Sequence, residues 1–270
     1  MAEPLGVFVA GANGRMGKNI IKLVVADPEA RLVGASERSD SEVQGADAGL
    51  NAGVHVTSIT ISSDLERYLQ KSSGVIIDFS NPQTTLKNIE RAVASKTPIV
   101  IGTTGFTDEE RSLIQEYAKS IAIVQDPNMS VGMNLVFKMI DQAARVLNED
   151  YDIEVIEAHH RNKVDSPSGT AVKIAKILCE ATGRNVEEDL VYKRHGMGKR
   201  TNKEIGMQTL RGGDIVGEHT VYYCGDGERI EVKHTATRRT TFARGAIRAA
   251  KWLVKQEPGL YNMNQVLGLN

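Results

Sequence analysis

Residues 6–17 read Gly6-Val7-Phe8-Val9-Ala10-Gly11-Ala12-Asn13-Gly14-Arg15-Met16-Gly17. Gly6 to Ala10 is a short apolar run suited to a strand buried on both faces. After Gly17, Ile20, Ile21, Val24 and Val25 recur at helical spacing. Gly11 is placed to make the tight turn between strand and helix, and the missing side chains let backbone approach a pyrophosphate. Gly17 lets the helix pack close to the sheet. Asn13 holds the second glycine place of the commoner G-x-G-x-x-G pattern; Asn tolerates left-handed backbone, so the turn survives.

Leu32 to Ala35 reads as a second strand and ends in Ser36-Glu37-Arg38, with Glu37 twenty residues beyond Gly17. A carboxylate there accepts hydrogen bonds from a ribose diol, which favours NADH; Arg38, helped by Arg15, suits a 2′-phosphate, which admits NADPH. The expectation is a nicotinamide cofactor, NADH or NADPH, with imperfect discrimination. A solvated strand end is the competing reading of Glu37.

Further strands are expected at Val75–Phe79, Pro98–Gly102 and Ile121–Val124, with helices at about Gln83–Ser95 and at Asp108–Lys119, the latter capped by Thr107. Such alternation means right-handed βαβ units and a parallel sheet. Gly102-Thr103-Thr104 and Pro127-Asn128 follow strand ends, where open α/β sheets place ligands. An ordinary glycine-rich connection is an equal reading of the first.

The pattern changes near Ser130. A long helix is expected from about Gly132 to Leu147, and Ile205–Leu210, Gly217–Cys224 and Arg229–Thr235 alternate residue by residue. With Gly212-Gly213-Asp214 and Gly225-Asp226-Gly227 as turns, they read as an antiparallel meander. Phe242–Val254 returns to helical spacing. The fold class is therefore α/β: a Rossmann-type doubly wound parallel sheet, with a second α+β domain holding an antiparallel or mixed sheet. Residues 1–130 and 241–270 are assigned to a dinucleotide-binding domain, and 131–240 to a substrate-binding and oligomerisation domain.

Glu154-Val155-Ile156-Glu157-Ala158-His159-His160-Arg161-Asn162-Lys163-Val164-Asp165-Ser166-Pro167-Ser168-Gly169-Thr170 carries the densest chemistry. A strand end, two histidines and a lysine lead into a helix start at Ala171. Free N–H groups and partial positive charge there suit an anionic ligand group. His159 or Lys163 stands ready to give a proton. Glu157 and Asp165 read as supporting or turn-forming residues. His160, next to His159 on extended chain, is expected to face the other way and to pack. Adjacent histidines lack i, i+4 spacing and have no third ligand nearby, so no metal is expected.

Thirty-three basic against thirty-four acidic residues leave a formal charge of −1, giving no case for wholesale nucleic-acid or membrane-surface binding. Met1-Ala2-Glu3-Pro4 lacks a secretory pattern, and no window approaches a membrane span. Cys179 and Cys224 form no ligand spacing and fit a reduced, cytoplasmic setting. Arg238-Arg239 reads as a solvated pair.

Taken together, the glycine loop, Gly102-Thr103-Thr104-Gly105 and Glu157-Ala158-His159-His160-x-x-Lys163-x-Asp165-x-Pro167-Ser168-Gly169-Thr170 resemble the dihydrodipicolinate reductase family. The resemblance extends over essentially the full length, including Gly213-Asp214-Ile215-Val216-Gly217-Glu218-His219-Thr220. It implies a two-domain homotetrameric reductase using NADH or NADPH on a cyclic imine dicarboxylate. It also implies roles: His159 as acid/base and Lys163 as second proton donor. His160, Ser168, Gly169 and Thr170 become substrate contacts. Gly11, Ala12, Asn13, Gly14, Arg15, Met16, Glu37, Arg38, Gly102, Thr103 and Thr104 become cofactor contacts. Asp126, Pro127, Asn128 and Met129 match a loop at the nicotinamide end.

Two other classes compete. A semialdehyde or homoserine dehydrogenase would need a cysteine nucleophile or another lysine/aspartate arrangement. A nicotinamide-sensing regulator would lack a use for the His-Lys loop, and no DNA-binding motif is present.

Overall fold

The computed structural model describes residues 3–71 and 74–269, so Met1 and Ala2 of the N-terminal stretch lie outside the described residues. In chain order the first elements are β1 (Leu5–Ala10), α1 (Arg15–Ala26), β2 (Ala30–Ser36), α2 (Ala48–Ala52), β3 (Ile61–Ser62) and α3 (Glu66–Leu69). Then come β4 (Val75–Asp78), α4 (Pro82–Ala94), β5 (Ile99–Ile101), α5 (Asp108–Tyr117), β6 (Ala122–Gln125) and α6 (Val131–Leu147). The rest are β7 (Asp152–His159), α7 (Gly169–Thr182), β8 (Leu190–Val191), β9 (Ile205–Arg211), β10 (Gly217–Gly225), β11 (Glu228–Ala236), α8 (Thr240–Leu253), β12 (Gly259–Tyr261) and α9 (Met263–Leu267). The chain divides into two compact units: Met1–Val131 with Arg239–Asn270, and Gly132–Arg238.

In the first unit the strands pair in parallel in the order β12-β6-β5-β4-β1-β2-β3. Chain order reverses at β1, which lies between β2 and β4, and such a switch point leaves a crevice beyond the strand ends. One face of the sheet packs Val7, Val9 and Ile77 against Ile20 and Val24 of α1 and Ala246 and Ala250 of α8. The other packs Phe8, Ile76, Ile99 and Ile123 against Ile89 of α4 and Ile114 of α5. Burial on both faces is why these strands read as unbroken apolar runs. Thr107 caps α5 through a reciprocal capping box with Glu110. β12, which adds to the β6 edge, follows a chain reversal that hydropathy alone did not signal.

In the second unit the order is β11-β10-β7-β9-β8. This corrects the expected three-strand meander. Only β10 and β11 form a hairpin; β9 runs parallel to β7, and β7 separates β9 from β10. The cause is the glycine pair expected to turn the hairpin. Gly212 N–H donates to the His159 carbonyl at 2.9 Å, and Arg161 N–H to the Gly213 carbonyl at 3.2 Å. The pair grips the end of β7, and β9 and β10 flank that strand. Alternation sets which face a residue takes, not which strand lies beside it.

One face of this sheet is covered by α6 and α7, with Ile153, Val155, Met207, Val221 and Tyr223 packed against Phe137, Ile140, Ile174 and Leu178. Tyr223 is fully buried, and its hydroxyl donates to the Ile140 carbonyl at 2.8 Å. Two residues further along each strand, the same face turns polar. Thr209 on β9 lies opposite Glu157 on β7, His219 on β10 lies opposite Glu157 on the other side, and His234 on β11 lies opposite His219.

Candidate active site

The glycine loop of the first unit is held from below. Gly11 has φ +79°, and a Cβ there would come within 2.7 Å of the Phe79 carbonyl oxygen. At Gly17 a Cβ would run into the Gly11 carbonyl. The N–H groups of Gly11 and Ala12 both donate to the Ser36 carbonyl at 3.0 Å. Gly14 is the N-cap of α1 and supplies no side-chain cap, so the helix start keeps its donors for an anion.

Glu37 sits just past β2. Its Oε2 accepts from Asn13 N–H at 2.9 Å and its Oε1 from Arg38 N–H at 3.1 Å. The Gln44 amide, absent from the sequence reading, donates to the carbonyls of Glu37 and Arg38 at 3.0 and 2.6 Å and fixes the segment. A cavity of about 870 Å³ opens here. Gly11, Gly14, Glu37 and Arg38 line it with Phe79, Ser80, Asn81 and Thr84 from the β4–α4 connection. A glycine loop, an uncapped helix start and a cavity of this volume fit a dinucleotide.

Other expected cofactor residues are placed differently. Ala12 is fully buried and Met16 packs on the core behind the loop. Arg15 is exposed at the start of α1, and Thr104 is exposed beyond β5. Arg239 is half-buried, not solvated: burial first, then the nearby Arg15 charge, lowers its pKa. Gly102 directly follows β5, and Thr103 is buried with its Oγ1 3.1 Å from Ser80 N and 2.9 Å from Thr85 Oγ1. All gather around Asp78, a fully buried carboxylate that accepts from Ser80 Oγ at 2.6 Å and Asn88 Nδ2 at 2.8 Å. Asp78 gave no sequence signal because its partners lie on three separate segments. Past β6, Asp126 accepts from Asn128 N–H at 3.1 Å and Met263 N–H at 3.3 Å, while Asn128 accepts from Ser130 N–H at 2.9 Å. Met129 is buried, and Pro127 is exposed. A Cβ at Gly245 would meet the Met129 carbonyl, which shows how closely α8 lies under this loop.

In the second unit Glu157 is fully buried at the end of β7. Its Oε2 lies 2.6 Å from His159 Nδ1 and 2.9 Å from Arg211 Nη1; its Oε1 lies 2.8 Å from Arg211 Nη2 and 3.0 Å from Ser168 N. Burial alone raises the Glu157 pKa, but hydrogen bonds from His159, Arg211 and Ser168 outweigh it and bring it down to about 2. A carboxylate only accepts, so Nδ1 of His159 carries the proton and Nε2 is the ring atom left to exchange one. Nε2 faces Gly217, where a Cβ would come within 3.1 Å.

Ser168 caps α7, its Oγ accepting from Ala171 N–H at 3.2 Å. The same oxygen lies 3.1 Å from His219 Nε2, and the His219 and His159 rings meet edge to face at 5.2 Å. Burial, and then the neighbouring His159, pushes His219 down to about 3. Lys163 is partly buried, with Nζ 2.8 Å from Asp165 Oδ1. Burial raises Asp165, and the Lys163 ammonium overrides it and lowers the carboxyl below its usual range. Arg211 also donates to the Asp165 carbonyl at 2.7 Å, closing the loop onto the sheet. His160 is half-buried, Gly169 is exposed, and Thr170 is half-buried on the first turn of α7. Sequence reading missed Arg211 and His219. They lie 54 residues from Glu157 and 51 from Ser168, and only the sheet register brings them in. Among the described residues, no group of three or more His, Cys, Asp and Glu side chains is placed to hold a metal, and no helix is long and apolar enough to cross a membrane.

A family model described as dihydrodipicolinate reductase, N-terminus, matches residues 5–129, and one described as dihydrodipicolinate reductase, C-terminus, matches residues 132–267. The 4-hydroxy-tetrahydrodipicolinate reductase of Geotalea uraniireducens (strain Rf4) is 52% identical over 264 residues, 97% of this chain and 98% of the relative. That of Syntrophotalea carbinolica is 51% identical over the same length, with the same coverage. Among solved structures, the dipicolinate-bound dihydrodipicolinate reductase from Paenisporosarcina sp. TG-14 superposes with a TM-score of 0.75 at 22% identity, covering 96% of this chain and 97% of that one. The myo-inositol dehydrogenase from Lactobacillus casei, in complex with NAD(H) and myo-inositol, gives 0.57 at 14% identity, covering 97% and 90%. At such identities these two likenesses concern the fold.

Proposed function

Because the chain belongs to the dihydrodipicolinate reductase family, we propose that its second unit supplies both the proton and the carboxylate cradle for the reaction. The activity is NAD(P)H-dependent reduction of 4-hydroxy-tetrahydrodipicolinate to tetrahydrodipicolinate, in lysine and diaminopimelate biosynthesis. The substrate is a small cyclic dicarboxylate.

Residues 1–130 and 241–270 form the dinucleotide domain. Gly11 to Met16 hold the pyrophosphate end, Glu37 and Arg38 the adenosine end. Gly102, Thr103, Thr104 and Asp126 to Met129 hold the nicotinamide end. When bound, the nicotinamide supplies a hydride. Residues 131–240 bind the substrate. His159, charged as an imidazolium, gives its Nε2 proton and is left as the neutral ring whose Nδ1–H the Glu157 carboxylate holds. Lys163, partly desolvated beside Asp165, supplies positive charge and a second proton. His160, Gly169 and Thr170 cradle a carboxylate at the start of α7, and Ser168 shapes that cradle as its cap.

The observation that carries this reading is the gathering of His159, Ser168 and Arg211 around one buried carboxylate. The test follows NADH absorbance with freshly generated substrate. The wild type consumes NADH only when substrate is present. His159→Ala and Lys163→Ala each lower turnover by more than about tenfold, while NADH binds normally. Full activity in both variants sinks the assignment.

A cytoplasmic homotetramer fits the same reading. The uncovered face of the second sheet carries Ile156, 41% exposed, and Leu210, 49% exposed. Contiguous apolar exposure on a sheet face supports self-association.

A further inference from the structure

Among the described residues, the groups within hydrogen-bond reach of the Glu157 carboxylate are all donors: the His159 ring, the Arg211 guanidinium, the Ser168 N–H and, at 3.4 Å, the Thr209 hydroxyl. Donors from β7 itself, from β9 and from the start of α7 therefore converge on one side chain that is wholly removed from solvent. Burying a carboxylate is expensive, and the Arg211 guanidinium is a countercharge set against it here. A helix cap alone does not require this arrangement, since Ser168 Oγ already caps α7. Nor does strand pairing, which the backbone ladder supplies.

We propose that Glu157 is a positioning residue for catalysis: its carboxylate sets the tautomer and ring plane of His159, while Arg211 and the start of α7 hold that carboxylate in place. The inference rests on His159 being the proton donor. An imidazole with Nδ1 bound to a fixed acceptor has one orientation, and Nε2 is the only ring atom left to work. A neutral amide at 157 keeps the shape but breaks the pattern. It has one acceptor oxygen for a ring of donors, and its NH2 would face a donor or push the His159 proton to Nε2. Glu157 itself touches no reacting atom and acts through His159.

That dependence has a signature that a purely structural role lacks. The experiment measures kcat and NADH affinity for Glu157→Gln, His159→Ala and the double variant, with 4-hydroxy-tetrahydrodipicolinate as substrate. Glu157→Gln is expected to lower kcat by at least about tenfold and leave the NADH dissociation constant within about twofold. In the His159→Ala background the same change should cost nothing more, because residues acting as one unit are not additive. Losses that multiply in the double variant overturn the proposal. Full activity of His159→Ala would instead overturn the reading of His159 and leave a different trace. A second measurement needs no variant at 157. In the wild type, ¹⁵N ring shifts recorded above the pH at which His159 loses its charge, and assigned with His159→Gln, should show the neutral ring protonated at Nδ1; a neutral ring protonated at Nε2 overturns the proposal.

Discussion

The backbone N–H of Asn13 donates to Glu37 at 2.9 Å, so the glycine loop and the end of β2 are already joined across one end of the cavity. The Glu37 carboxylate keeps further lone pairs, which under the proposed function take a ribose diol, and Arg38 stands exposed beside it. Arg38→Ala should raise the NADPH dissociation constant about tenfold and move that of NADH less than about threefold. Glu37→Ala should weaken both, because it also releases the loop. Titration by cofactor fluorescence decides this; equal losses for both cofactors in Arg38→Ala would remove Arg38 from discrimination.

Gly17 bears on stability as well as on binding. Its missing side chain lets α1 start against Gly11 and Ala12, and an alanine there would meet the Gly11 carbonyl and come within 2.9 Å of Ala12 Cα. Neither neighbour is a flexible side chain, so backbone must move. Gly17→Ala should cost roughly 2 kcal/mol or more in urea unfolding. Gly198→Ala, with open space around it, should cost almost nothing. Equal midpoints for the two variants would refute the crowding argument.

Much of this architecture was legible in the chain. In the first sheet β1, β2, β4, β5 and β6 could be read because they are apolar runs; β3 and β12, two and three residues long and partly exposed, carry no such signal. The second sheet was misread in one respect: Gly212-Gly213 looks like a hairpin turn, yet its hydrogen bonds go to the end of β7. Hydropathy carries no information about that choice. For the site, His159, Lys163 and the start of α7 stand together in sequence, so they can be picked out there as candidates. Glu157 reads as a supporting residue in sequence, and its contacts agree. Arg211, His219 and Asp78 could not be read, because their meaning comes from residues brought alongside by folding.

Acid should weaken the fold in two stages. His219 is held near 3 against an ordinary 6.5, so between those values the unfolded chain binds a proton that the folded one refuses. Its stabilising share is whole above pH 6.5 and drains as pH falls. Glu157, held near 2 against 4.5, contributes fully above pH 4.5 and loses its share below. From pH 6.5 to 4.5 only His219 of the two titrates, and it should account for about 2–3 kcal/mol of the decline. His234, also lowered by burial, adds a smaller slope of its own. The urea midpoint of His219→Gln should therefore fall less steeply across this window. A slope equal to the wild type would mean that the folded protein protonates this ring.

Assembly should depend on the uncovered sheet face. Light scattering on the wild type should give about four times the 29.4 kDa chain mass. Leu210→Lys with Ile156→Asp should lower that mass without unfolding the chain. An unchanged mass would place the interface elsewhere.

The polar row that crosses β9, β7, β10 and β11 depends wholly on strand alignment. Glu157 meets His219 only because β10 pairs with β7 in one register. A slip of one residue would turn the imidazole to the opposite face and set Glu218 or Thr220 against Glu157. Such a chain could collapse and keep its helices, yet His219 would no longer reach the Ser168 cap of α7. Secondary structure alone therefore says nothing about whether this sheet is aligned; the contact between His219 on β10 and the cap of α7 does.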